Sequence, residues 1–87
     1  MKYKVVFTNK ANKALKKVDH PQRKMILSWI KNNLVGCKEP RKQGKALTGD
    51  KKGYWRYRVG VYRLIARIDD CRLIIIMVNI SHRREIY

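Results

Sequence analysis

The second half of this sequence concentrates side chains that bind phosphate and transfer protons. The stretch YWRYRVGVYRLIAR, residues 54–67, contains four arginines and no carboxylate, and the chain ends with SHRREIY. Guanidinium groups bind phosphate through paired hydrogen bonds and keep their charge at neutral pH. Imidazole and phenol groups can transfer protons. These residue types suit chemistry on a phosphodiester, and the candidates are Arg56, Arg58, Arg63, Arg67, His82, Arg83 and Tyr87.

Cleavage of RNA without a metal needs the same set of groups. The 2′-OH must lose a proton as it attacks its own phosphorus, and the leaving 5′ oxygen must gain one. Fixed cations must stabilise the charge on the phosphorane oxygens. Two-metal nucleases need clustered carboxylates, but the only adjacent acids, Asp69 and Asp70, fall in a predicted turn. Since Cys37 and Cys71 are also far apart with no ligand at metal spacing, we expect no metal and no other cofactor.

Length and charge limit the classes of protein. A chain of 87 residues predicts a single domain, residues 1–87. Its 22 Lys and Arg against six acids give a net charge of +16, which favours work on a polyanion such as nucleic acid, or storage with an acidic partner. A membrane surface is less favoured, because no basic helix has an aromatic apolar face. Without a signal-like run or a long apolar segment, we expect a cytoplasmic protein.

The hydrophobic pattern predicts the elements that position these side chains. A short β-rich run at residues 3–7 precedes two amphipathic helices, with Thr8 or Asn9 capping the first and Pro21 opening the second. Three strand signals follow at residues 54–59, 62–69 and 72–80, the last apolar enough to be covered on both faces. The prediction is a two-layer α+β fold of order β-α-α-β-β-β. Its N-terminal helical hairpin packs on a small, mainly antiparallel sheet, and the first strand joins at an edge or beside the last strand.

Side chains alternate between the two faces of a β-strand with a period of two residues, and this period places the arginines on one face of that sheet. Trp55, Tyr57 and Val59 are expected to face the helices, so that the four arginines of residues 54–67 share the opposite face. His82 and the tail are expected to lie beside this face, because the last strand ends nearby. Residues 37–53 form a predicted basic loop, which Ala46 and Leu47 anchor to the core.

The segments WRYRVGVYRLI and HRREIY, together with the length and strand order, resemble the RelE branch of the RelE/ParE bacterial toxin superfamily. The resemblance extends over nearly the whole chain. It implies a toxin of a type II toxin–antitoxin pair that enters the ribosomal aminoacyl site and cuts mRNA there, without a metal, by 2′-OH attack. It also implies inhibition by an antitoxin whose acidic amphipathic segment wraps over the basic surface.

The resemblance also implies roles for individual residues. Arg63 and Arg83 match the arginines that contact the scissile phosphate, and Tyr87 matches a tyrosine that stacks on or deprotonates the nucleotide. His82 matches a histidine found in many members. Arginine stands at positions 56 and 58, where the family often has lysine, and since arginine holds its proton too firmly for acid–base work, proton transfer falls to His82 or Tyr87. The resemblance implies that Arg56 and Arg58 bind RNA and that Lys45 and Lys52 contact rRNA as part of the basic loop. Arg67 joins the RNA-binding residues through its place on the same sheet face.

Two other functions are compatible with the same residues. One is a ParE-like protein that inhibits DNA gyrase without chemistry of its own. An inhibitor of that kind has no reason to assemble Arg63, His82, Arg83 and Tyr87. The other is a basic RNA-binding module, in which every Lys or Arg contributes alike and no position is special.

Overall fold

The computed structural model describes residues 2–49 and 53–82. Its elements follow the predicted order, with one short strand added between the second helix and the hairpin. They are β1 (Lys4–Phe7), α1 (Asn9–Lys16), α2 (His20–Asn33), β2 (Lys45–Ala46), β3 (Trp55–Val59), β4 (Tyr62–Asp69) and β5 (Ile74–His82).

Both helices begin where the sequence predicts. The Thr8 hydroxyl accepts a hydrogen bond from the Ala11 backbone N–H at 3.1 Å, which satisfies one of the free donors of the first turn of α1. Pro21 stands in the first turn of α2, where its missing N–H costs nothing. Asp19 precedes α2 but makes no side-chain capping bond.

All five strands form one mixed sheet in the order β1-β5-β4-β3-β2. The first strand takes both positions that the sequence left open, because β1 is an edge strand and pairs in parallel with β5. The other three pairings are antiparallel. The β4–β5 turn is closed by Asp69, whose carboxylate accepts from the N–H groups of Cys71 and Arg72 at 3.1 Å each, as the turn-forming role predicted.

The core lies between the helices and one face of the sheet. Tyr57, Leu64 and Ile75 are completely buried there against Ile26 of α2 and its neighbours. The prediction that the last strand is covered on both faces was wrong. Alternate residues of β5 on the face away from the core, such as Ile74 and Ile76, are only half-buried, because both helices pack on the other side.

The basic loop is held by hydrogen bonds rather than by the expected apolar anchors. Ala46 is exposed and Leu47 only half-buried. Instead, the Tyr57 hydroxyl donates to the Pro40 carbonyl and the Trp55 indole N–H donates to the Gln43 carbonyl, each at 2.6 Å. Aromatic side chains of β3 thus fix the backbone of the loop that leads into β2.

A salt bridge between the loop and the β4–β5 turn adds a further tie. The Arg41 guanidinium binds the Asp70 carboxylate with two bonds of 2.9 and 3.0 Å, and the Tyr3 hydroxyl donates to the same carboxylate at 2.6 Å. The Arg41 bonds, and then the Tyr3 bond, lower the pKa of Asp70, while the bond to Asp70 raises the pKa of Tyr3. No described helix is long and apolar enough to span a bilayer.

Candidate functional site

Four arginines share the sheet face opposite the helices, as period two predicted. Tyr57, Leu64 and Ala66 are buried and Trp55 is half-buried against the core, and their pairs Tyr57–Leu64 and Trp55–Ala66 fix the alternation of β3 and β4. The residues between them therefore point outward. We call this surface the arginine face and define it by Arg56, Arg58, Arg63 and Arg67, together with Lys45 of β2, which pairs with Arg56.

The strand register sets how the cations of this face are spaced. Arg58 lies directly opposite Arg63, and Arg56 stands two residues from Arg58 on the same strand. Arg67 is four residues from Arg63, or about 13 Å along β4 at a rise of about 3.3 Å per residue. Arg63 and Arg67 thus stand two residues to either side of Ile65, the partner of Arg56, while Arg58 faces Arg63 and Lys45 faces Arg56.

Arg63, like Arg23 of α2, has a guanidinium nitrogen that is buried within the described structure. Its Nε is buried, and within the described part of the chain it has no hydrogen-bond partner. A buried donor without a partner costs free energy, as does a like charge directly across an antiparallel pair. An oxygen-rich anion bound beside Arg63 would therefore relieve both costs.

Among the residues that the structure describes, no carboxylate forms an ion pair with a cation of the arginine face. The two ion pairs formed among the described residues are Arg41–Asp70 at 2.9 Å and Arg72–Asp69 at 3.8 Å, and both lie at the β4–β5 turn. A cavity of about 240 Å³ is lined by Gly44, Lys45, Arg56 and Arg58. Among the described residues, its lining has three cations and no acid, so its charge favours an anion.

Gly44 allows β2 to approach β3 so closely. Its φ is +80°, and a Cβ on this residue would come within 2.1 Å of the Arg56 carbonyl oxygen. Only glycine fits this backbone position. The sequence analysis missed Gly44 as a functional residue. The available signal was a glycine directly before a lysine in a loop that leads to the arginine strand.

A β-bulge changes the position of His82. Between Ile65–Asn79 and Ala66–Met77 the register shifts by one residue, which leaves Val78 as the extra residue of β5. After the bulge, Ser81 pairs with Arg63, while His82 pairs with Tyr62 on the helix side. The two rings meet edge-on, with 5.3 Å between their centroids.

The expected grouping of His82 with the arginines therefore does not occur. Strict alternation from Ile75 would have put its side chain on the arginine face, and the bulge reverses this. Arg83, Tyr87 and Lys52, which the sequence analysis also selected, lie outside the described residues. Arg56, Arg58, Arg63, Arg67 and Lys45 are thus the predicted site residues that the structure places on one face.

Proton-transfer groups are scarce among the described residues near the arginine face. Tyr57 points into the core, where burial raises the pKa of its phenol well above the usual range. Cys37 is half-buried, and burial raises the pKa of its thiol as well. Among the described residues, no group of three or more His, Cys, Asp or Glu stands close enough to hold a metal ion.

Comparisons with known proteins place this arrangement in a known group. The family model described as the ParE toxin of the type II toxin–antitoxin system parDE matches residues 5–87. The toxin RelG of Mycobacterium tuberculosis is 36% identical over 89 residues, covering 100% of this chain and 98% of the relative.

Solved structures agree with the sequence relatives. The toxin–antitoxin complex RelBE2 of M. tuberculosis contains a chain that superposes with a TM-score of 0.86 at 30% identity, covering 95% of this chain and 100% of that one. A double arginine-to-alanine variant of the Escherichia coli toxin RelE, in the free state, gives a TM-score of 0.74 at 19% identity, with 94% and 84% covered. The RelE–RelB complex of Pyrococcus horikoshii gives 0.68 at 22% identity, with 99% and 100% covered. The last two similarities concern the fold.

Proposed function

Since this chain belongs to the RelE/ParE superfamily of toxins from type II toxin–antitoxin systems, we propose that it is a ribosome-dependent endoribonuclease. In this proposal the toxin enters the ribosomal aminoacyl site in the cytoplasm, cleaves the mRNA there by 2′-OH attack without a metal, and so inhibits translation. Its resting partner is a cognate antitoxin, in line with relatives whose structures are toxin–antitoxin complexes.

The observation that carries this proposal is Arg63. Its buried Nε lacks a partner, and its strand neighbour Arg58 adds a second guanidinium directly opposite. A phosphodiester that becomes a phosphorane gains negative charge on its oxygens, and preorganised donors stabilise that charge most when they need not reorganise. A guanidinium whose Nε is already buried without a described partner favours this role. In this scheme the flanking phosphates are bound by Arg56, Arg58, Arg67, Lys45 and Lys52.

Proton transfer is assigned to residues near the chain's end. In the proposed reaction, a base takes the 2′-OH proton, the oxygen bonds to phosphorus, the bond to the 5′ oxygen breaks, and an acid protonates that leaving oxygen. Tyr87 is the preferred base and Arg83 the second phosphate clamp. His82 faces the helix side and contacts Tyr62, so a role in holding RNA suits it better than proton transfer at the phosphate bound by Arg63.

The site is too open to align a flexible strand by itself. Effective alignment of the 2′-OH with the phosphorus supplies much of the rate in such reactions. The arginine face is one side of a sheet with no described element covering it. We therefore assign the alignment to the ribosome and expect little cleavage of free RNA.

The test adds purified protein to a translation extract and maps the 5′ ends of the mRNA. Cuts within codons at the ribosome are expected with the wild type, and Arg63→Ala should cleave about 10²–10³ times more slowly, as for loss of one transition-state donor. Arg72→Ala is the control, because Arg72 is 78% exposed in the β4–β5 turn, away from the arginine face. Equal cleavage rates for the two variants would contradict the proposal. So would mRNA that stays uncut when the folded wild-type protein is added.

A second function is kept because the matching family model is described as a ParE toxin. A ParE-like chain would inhibit DNA gyrase and leave mRNA intact. The same protein preparation is therefore added to a gyrase supercoiling reaction. Loss of supercoiling together with intact mRNA would assign the chain to this second function.

A further inference from the structure

A second basic site lies on the opposite side of the sheet from the arginine face. A cleft of about 640 Å³ opens between α1 and the end of β5. We call it the helix-side cleft. Lys10, Lys13 and Lys17 line it from α1 and its C-cap, and Tyr62 and His82 line it from the strands.

The lysines form one continuous rim. Positions 10, 13 and 17 are spaced by three and four residues, so their side chains lie on the same side of the helix. Ala11 and Leu15 are buried on the neighbouring side, and this fixes the rotation of α1. Neither of the ion pairs among the described residues involves a lysine of the rim, and the described part of the lining contains no carboxylate. The rim therefore attracts anions.

The floor adds aromatic rings to this charge. Tyr62 and His82 meet edge-on at 78° between ring planes, and both remain partly exposed. Aromatic rings beside cations are the combination that binds single-stranded nucleic acid, because bases stack on the rings while the cations bind the backbone. An acidic peptide would use the amines but gain little from the rings. The combination favours RNA over a peptide.

The cleft adjoins the arginine face at one end of the sheet. Tyr62 directly precedes Arg63 on β4, and His82 directly follows Ser81, the partner of Arg63 on β5. A strand bound over Arg58 and Arg63 needs only to pass around this end of the sheet to reach the cleft. We propose that the helix-side cleft binds single-stranded RNA that flanks the phosphate at Arg63. This inference rests on the proposed action on RNA.

The test measures binding without cleavage. A fluorescein-labelled, fully 2′-O-methylated RNA heptamer lacks the nucleophile, and its affinity for the full chain is followed by anisotropy across a salt series. The variant Lys13→Gln/Lys17→Gln removes two rim charges. The matched control Lys16→Gln/Lys31→Gln removes the same charge from exposed helix positions outside the cleft.

The two variants should separate clearly. Each lost phosphate contact on a single strand lowers the salt slope by about 0.7. Two lost contacts therefore lower it by about 1.4 and weaken binding about 25-fold at 0.1 M salt, while the control should change less than about threefold. Tyr62→Leu should weaken binding about tenfold through lost stacking, and Tyr62→Phe, which keeps the ring, should bind like the wild type. Circular dichroism checks that each variant is folded.

Equal losses for the rim variant and its control would overturn the proposal, because affinity would then follow total charge. It would also be overturned if a dodecamer of glutamate lost affinity with the rim variant while RNA did not, which would assign the cleft to an acidic protein partner. The mRNA-cleavage assay is independent of these results. If the cleft proposal is wrong, only the RNA-binding result changes. If the nuclease proposal is wrong, the mRNA stays uncut.

Discussion

Replacing Arg63 by methionine should stabilise the fold while it abolishes function. The Arg63 Nε is buried without a described partner, and a buried unsatisfied donor costs about 1–3 kcal/mol. The like charge of Arg58 directly across the strand pair adds about 0.2–1 kcal/mol. Methionine keeps an unbranched chain of similar length and removes both costs, but it loses the stem's fit to its surroundings. We expect a net gain of about 1 kcal/mol in the free energy of unfolding.

The gain is measurable in a domain of this size. Thermal unfolding should show Tm higher by about 4–8 °C, and urea unfolding should show a higher midpoint with an unchanged m-value. Cleavage in the translation extract should fall at least about 100-fold. A variant that is more stable but inactive is expected where polar groups of a site stay unpaired until a ligand binds.

Arg67→Met is the matched control. Arg67 lies on the same face of β4 but is exposed and pairs with Ile76, with no cation opposite. Its stability should change by less than about 0.5 kcal/mol. If Arg63→Met lowered Tm, or raised it no more than Arg67→Met does, then the Nε would be satisfied in solution and the argument from a desolvated guanidinium would be refuted.

Two further predictions concern the loop that carries Lys45. Gly44→Ala should lower the free energy of unfolding by about 2–4 kcal/mol, because an alanine there has a left-handed φ and its Cβ clashes with the Arg56 carbonyl. Gly36→Ala is the control, since Gly36 has a similar φ but open space around it, and it should cost only about 1–2 kcal/mol. Equal losses in urea unfolding would show that β2 does not pack closely against β3. Because the Arg41 bonds lower the pKa of Asp70, the stabilisation is present above the ordinary aspartate pKa and lost as pH falls through the lower folded value. Asp70→Asn should therefore flatten the fall in unfolding free energy at acid pH, and an unchanged acid limb would contradict the clamp.

The sequence predicts most of this fold because its local signals agree with one another. The Thr8 cap and Pro21 in the first turn of α2 both stand where the sequence predicts them. The alternation of residues 55–59 assigns both faces of β3 correctly. The four arginines could be placed on one face from the sequence, since period two needs no tertiary information.

Other features depend on contacts that no local pattern encodes. The bulge at Val78 comes from the mismatch between β4 and β5, and it alone decides which face His82 occupies. The sequence held one weak signal of this bulge. Alternation from Ile75 would place the polar Asn79 on the core side, yet the next residue, Ile80, is the buried one. The two-residue strand β2 has no period to detect. It forms because Trp55 and Tyr57 donate hydrogen bonds to the loop before it.

The cost of the arginine face gives a physical reason for the antitoxin in the proposed scheme. Uncompensated guanidinium groups favour any ligand that brings several oxygen anions, so an acidic segment and an RNA backbone compete for the same donors. With a net charge of +16, association with either polyanion is fast and falls with salt. In that scheme, an antitoxin segment that covers the Arg58–Arg63 pair would block catalysis by occupying the proposed transition-state donors. Inhibition of this kind needs no change in the toxin's fold.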